Sequence, residues 1–122
     1  MRTILIVDDD KNLRRLYKVE LEAEGYRVLL ASDGREALVT VQDQNPDIVI
    51  MDIRMPGMDG LEAMIKLLKE RGGLPVILNS AYSNYQDNFL TWAAEGYLIK
   101  SSDLRPLKQK IRDVLQSIPS AA

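Results

Sequence analysis

Apolar residues in this chain recur at consecutive rather than alternate positions, in runs too short for helices. Ile4-Leu5-Ile6-Val7 and Ile48-Val49-Ile50-Met51 are the clearest cases. A strand with one face in water alternates apolar and polar side chains, so uninterrupted short runs belong to strands covered on both faces. Five strands are expected, at residues 3–8, 27–31, 47–52, 75–80 and 96–100. The stretches between them carry helical period. Leu61, Met64, Ile65 and Leu68 fall at i, i+3, i+4 and i+7, behind the cap pair Asp59 and Glu62, and Asp33 with Glu36 opens an earlier helix the same way. Leu104, Leu107, Ile111, Val114, Leu115 and Ile118 form one stripe, with Asp103 as the expected N-cap and Pro106 in the first turn. A first helix follows Asp10, with Leu13, Leu16, Tyr17 and Leu21 inward, and a less regular fourth one is expected at 83–94, opened by Ser83 and Gln86. Strand and helix alternating five times predict an α/β fold: a (βα)5 doubly wound, five-stranded parallel sheet with helices on both faces and right-handed crossovers.

Length and composition narrow the chemistry. The 122 residues suffice for one domain with a core of its own, and no repeat or linker divides them. The chain has no His and no Cys. That excludes an imidazole base, a phosphohistidine carrier, thiol nucleophiles, disulfides and thiolate metal sites. Carboxylates, Lys, hydroxyls and backbone remain. A formal net charge of -2 argues against direct binding of nucleic acid, which relies on clustered Lys and Arg. The first apolar run is too short for a signal peptide or a membrane span, so the expected setting is cytoplasmic with no membrane partner.

In an open parallel sheet the functional site lies beyond the carboxyl ends of the strands, near the point where strand order reverses. The residues there are Asp8-Asp9-Asp10 after the first strand, Asp52 after the third, Ser80-Ala81 after the fourth and Lys100 after the fifth. Each has an ordinary reading alone. Asp9 and Asp10 suit a helix N-terminus, Asp52 a turn, Ser80 a strand-end hydroxyl and Lys100 a solvated charge. Asp8 is harder to place, because a carboxylate ending a buried strand must be paired, metal-bound or solvated.

As a set, these residues resemble the receiver domain of two-component response regulators over essentially the whole chain. The features that carry the resemblance are Asp8-Asp9, Asp52 followed by Met55-Pro56-Gly57-Met58-Asp59-Gly60, Ser80-Ala81, and Tyr97-Leu98-Ile99-Lys100. The resemblance implies strand order 2-1-3-4-5, a receiver domain over 1–118 and a short tail at 119–122. It makes Asp52 the phosphoryl acceptor. A divalent cation, Mg2+ (or Mn2+), would be held by Asp9 directly, Asp8 directly or through water, Asp52, and the backbone carbonyl of Arg54. Lys100 would neutralise a phosphoryl oxygen, Ser80 would hydrogen-bond one, and Tyr97 would move inward as the switch. The residue types allow this, since a carboxylate is nucleophilic without a base and Mg2+ prefers oxygen ligands. The output would be the face of the fourth helix, fifth strand and fifth helix. The implied partners are a sensor histidine kinase or histidine phosphotransfer protein, and a downstream protein target or an output domain outside the 122 residues. No enzymatic activity beyond self-phosphoryl transfer and autodephosphorylation is expected.

The sequence departs from the family pattern at Ser101, where Pro usually follows the lysine. A trans Lys100–Ser101 bond, a shifted loop and a less firmly held Lys100 are expected. Gly96 before Tyr97 is another loose match. Arg54 and Tyr82, two residues beyond the acceptor and the switch hydroxyl, are expected to shield the phosphoryl group and set its lifetime. One alternative is a degenerate receiver acting as a constitutive interaction module. Another is a small hydrolase using Asp52, which would want a second Asp where Arg54 stands.

Overall fold

The computed structural model describes residues 1–85 and 88–118. Five parallel strands, β1 (Thr3–Val7), β2 (Arg27–Ala31), β3 (Ile48–Met51), β4 (Val76–Ser80) and β5 (Gly96–Ile99), form one sheet in the order β2-β1-β3-β4-β5. Each lies within a residue or so of its expected bounds. Successive side chains of a strand point to opposite faces, and both faces are covered. Leu5, Val7, Val49 and Met51 pack with α2 (Gly34–Gln44) and α3 (Gly60–Glu70). Ile4, Ile6, Ile48 and Ile50 pack with α1 (Lys11–Ala23) and α4 (Arg105–Gln116). Burying one such side chain is worth about 1.5–3 kcal/mol, so these two layers hold the sheet.

The caps form where the acidic residues promised them. Asp10 accepts from the backbone N–H groups of Asn12 and Leu13, Asp33 from that of Glu36, and Asp59 from that of Glu62. Asp103 does not cap. Its carboxylate accepts from the Arg105 N–H, and helix α4 starts one residue late, with Leu104 at the N-cap and no side-chain cap. Leu16 is not inward either, being 43% exposed, because α1 turns Tyr17 and Leu21 to the sheet and Leu16 sideways.

The larger correction concerns helix number. Among the described residues there are four α-helices, and the expected fourth of five is instead a short 3-10 helix at Phe89–Ala93. Asn88 explains where it begins. Its side chain accepts from the Leu90 N–H and its carbonyl from the Thr91 hydroxyl, starting a new turn in mid-segment. Phe89, Thr91 and Trp92 then add little helix propensity. Gln86, the expected opening residue, and the expected tail at 119–122 lie outside the described residues.

One glycine fixes how α3 meets the end of β3. The Gly60 N–H donates to the Ile53 carbonyl at 2.7 Å, and a Cβ on Gly60 would fall 1.9 Å from the Asp52 carbonyl oxygen. Only a residue without a side chain allows that approach. Gly60→Ala is expected to lose about 2–3 kcal/mol of stability, the usual cost of overpacking, as measured by urea unfolding. A loss below about 0.5 kcal/mol would show that the contact relaxes freely.

Candidate functional site

Register brings the site together. Val7 pairs with Met51 across the adjacent strands β1 and β3, so the next residues, Asp8 and Asp52, stand abreast. The strand order reverses here, since β1 is followed in sequence by β2 on one side while β3 lies on the other. Both carboxylates are withdrawn from solvent, with Asp8 2% and Asp52 5% exposed. Asp9, next to Asp8, is exposed, and single carboxylate oxygens of Asp8, Asp9 and Asp52 all lie within 4.8 Å of one another.

Lys100 reaches this group from the end of β5. One strand lies between β3 and β5, a separation of about 9.6 Å that only a long side chain spans. The Lys100 N–H donates to the Ser80 carbonyl at 2.7 Å, and its ammonium donates to Asp8 Oδ2 at 2.8 Å and Asp52 Oδ2 at 3.2 Å. No cis peptide bond occurs among the described residues, so the bond to Ser101 is trans, as expected. Two carboxylates hold the Lys100 ammonium at this position.

Burial pushes the Asp52 carboxyl up to about 6, against the downward pull of Lys100 and with the nearby Asp8 and Asp9 charges adding to the rise. Burial alone would lower the Lys100 ammonium. Its bonds to Asp8 and Asp52 outweigh that, and it stays above its ordinary value.

The Ser80 hydroxyl, fully buried, accepts from the Tyr82 N–H at 3.1 Å. Tyr97 is half-buried and its hydroxyl donates to the Tyr82 carbonyl. The Arg54 guanidinium lies 4.5 Å from the centre of the Tyr82 ring, so the residues two positions beyond Asp52 and Ser80 touch each other. Sequence reasoning missed two supports. Arg14 Nη1 donates to the Asp8 carbonyl at 2.7 Å, and the buried Asn79 amide donates to Tyr17 Oη at 3.0 Å. Buried Asn79 had to find a partner, but nothing local in the sequence names Tyr17.

The fold and site define an α/β domain of the doubly wound type with an acidic cluster at its switch point, crossed by one lysine. The chain belongs to the response regulator receiver domain family, whose model matches residues 4–112. It resembles the response regulator TrrA of Thermotoga maritima, solved in complex with Mg2+-BeF, at 42% identity over 93% of this chain and 99% of that one, with a TM-score of 0.91. A structure of histidine kinase ThkA in complex with TrrA matches at 43% identity over 94% of this chain and 99% of that one, with a TM-score of 0.89. A probable transcriptional regulator, ycf27 of Porphyridium aerugineum, is 34% identical over 98% of this chain. The chain spans about half, 50%, of that relative's length. Among the described residues no helix is long and apolar enough to cross a membrane.

The raised Asp52 value has a definite sign for stability. The unfolded carboxyl ionises near 3.8 and the folded one near 6, so between them the folded state holds the extra proton. Stability therefore falls as pH rises across that window and stays reduced above it. Without divalent cations at neutral pH, Asp52→Asn is expected to be more stable than the wild type by about 1–2 kcal/mol, since one pKa unit is about 1.4 kcal/mol and Lys100 loses one partner. Thermal unfolding across that pH range tests it, and a variant no more stable than the wild type at neutral pH contradicts it.

Proposed function

We propose that the chain is a phosphorylation-activated receiver that accepts a phosphoryl group on Asp52. The observation that carries this is the Asp8, Asp9 and Asp52 cluster with Lys100 across it. An Asp52 carboxylate oxygen would attack phosphorus in line with the bond to a phosphohistidine nitrogen of a histidine kinase or phosphotransfer protein. The new O–P bond forms as the N–P bond breaks, and its electron pair leaves on the imidazole. The ThkA–TrrA complex supports such a donor for this chain.

The oxygen-only donor set fits a hard divalent cation, Mg2+ or Mn2+, held by Asp9 and Asp52, the Arg54 carbonyl, and Asp8 directly or through water. Such an ion supplies charge neutralisation to the transferring phosphoryl oxygens. Lys100 neutralises another of those oxygens, as a compact ammonium can. The Ser80 hydroxyl turns to hydrogen-bond the phosphoryl group, and Tyr97 settles inward as the switch. The face that reports the change is the 3-10 helix, β5 and α4, where Phe89 and Trp92 are 70% and 80% exposed and Ile99 is exposed as well. Its reader is a downstream protein or an output domain, in a cytoplasmic setting, without direct binding of nucleic acid or membrane by this domain. We assign 1–118 to the receiver unit and no enzymatic activity beyond its own phosphorylation and dephosphorylation.

Intact-protein mass after incubation with a small phosphodonor tests this reading. One Mg2+-dependent phosphate adduct is expected, absent from Asp52→Ala and formed at least about 100-fold more slowly in Lys100→Ala, the cost of losing one electrostatic contact to the transferring group. An adduct that persists in Asp52→Ala, or none in the wild type, overturns it.

The Arg54–Tyr82 contact supports a shield over the acceptor. Tyr82→Ala is expected to speed loss of the phosphoryl group by about 2- to 5-fold, the rate equivalent of the ~0.5–1 kcal/mol of an exposed cation–π contact. Following the adduct by mass after removing the donor measures it, and an unchanged rate removes the shield.

A further inference from the structure

In the turn that carries the acidic pair, every polar group of Asp8 is held. The Asp8 N–H donates to the Ala31 carbonyl at 3.1 Å, and its Oδ1 accepts from the Asp10 N–H at 2.9 Å. Its Oδ2 accepts from Lys100 and its carbonyl from Arg14 Nη1. The Asp10 carboxylate is committed as the N-cap of α1. Among the described residues no hydrogen bond or ion pair holds the Asp9 carboxylate, so only the backbone limits where it can reach, and the peptide that joins Asp8 to Asp9 sets the bond from which its side chain starts. The oxygen of that same peptide is the one Arg14 grips.

We infer that Arg14 is a positioning residue for divalent-cation binding, fixing the Asp8–Asp9 peptide so that the Asp9 carboxylate faces Asp8 and Asp52. The inference rests on the proposed cation site. The bond is charge-assisted, short at 2.7 Å and half-buried, and it ties the sixth residue after Asp8 back to the end of β1. Partners one step removed from a metal commonly govern affinity by orienting its ligands.

Charge and geometry pull in opposite directions here, which makes the role measurable. A guanidinium beside the acidic cluster repels a cation, so if Arg14 acted only as a charge, its removal would tighten binding. If it acts by position, removal weakens binding. Lysine keeps the charge but cannot keep the same planar, delocalised grip on the carbonyl.

The test is calorimetric titration of Mg2+ into the wild type, Arg14→Met, Arg14→Lys and Asp9→Asn, with thermal unfolding of each. Both Arg14 variants are expected to bind Mg2+ roughly tenfold more weakly, the low end of what orienting partners cost. Their rate of phosphorylation by a small donor should return towards the wild-type value at saturating Mg2+, a recovery that general damage to the fold would not give. Arg14→Met binding as tightly as the wild type, or more tightly, overturns the inference. If that variant does not fold, Arg14→Lys decides by the same criterion. A wild type that binds Mg2+ and loses it in Asp9→Asn, with the Arg14 variants unaffected, overturns the Arg14 role and leaves the site standing. A wild type that binds no Mg2+ overturns both.

Discussion

The Lys100 ammonium is what lets two carboxylates share the end of a parallel sheet. Strand register leaves Asp8 and Asp52 no choice of place, because they follow a paired couple of residues in neighbouring strands. Two buried negative charges side by side would normally drive one of them to take a proton. A cation bonded to both at 2.8 and 3.2 Å offsets much of that repulsion, and removing the cation would leave two buried charges unpaired, commonly at a cost of about 3–5 kcal/mol. Even so, Asp52 is left with a carboxyl pushed up to about 6, so burial still outweighs the pairing. The Asp52 carboxylate is thus kept ionised at neutral pH by a narrow margin, and that margin is set by a side chain arriving from the far side of β4.

The strands were legible because burial on both faces leaves a pattern that no helix or half-exposed strand produces. Asp10, Asp33 and Asp59 were legible as caps because a carboxylate before an apolar stripe has one local use. Residues 83–94 misled for the opposite reason. A spacing of polar starts suggested a helix, but Asn88 offers the backbone its own bonds and divides the segment. Asp103 misled by one residue, since its side chain bonds the Arg105 N–H and guanidinium rather than opening the helix. The site residues could be found from strand ends alone, and family resemblance gave them roles. Their supports could not. Tyr17 and Asn79 are 62 residues apart, and Arg14 looks like any solvated residue in the first turn of a helix until the carbonyl beneath it is seen.

The loop after β4 gathers the remaining pieces around one residue. The Tyr82 N–H holds the Ser80 hydroxyl, the Tyr82 carbonyl receives the Tyr97 hydroxyl, and the Tyr82 ring lies under Arg54. Ser80 and Tyr97 stand on neighbouring strands but share no strand pair, since Ser80 is in register with Ile99 and Tyr97 with Leu78. The Ser80 and Tyr97 side chains also meet directly, and Tyr82 adds a second link through the loop. A shift at either end passes to the other directly or through the hydrogen bonds of Tyr82, and to the surface beside Asp52 through its ring.

The same physics weighs against a receiver that serves only as a binding surface. Such a surface needs the two apolar layers and the exposed Phe89 and Trp92, none of which depends on a buried acid. Burial of the Asp52 carboxylate costs the fold stability at neutral pH, and Gly60 gives up a side chain so that α3 can close on the Asp52 backbone. Local rules that are broken together, at one end of the sheet, mark a place selected for chemistry rather than for packing. An amide at position 52 would keep the shape and drop the buried charge. The carboxylate adds a negative oxygen that an amide lacks, and a cation site or a phosphoryl acceptor, as proposed, needs that oxygen.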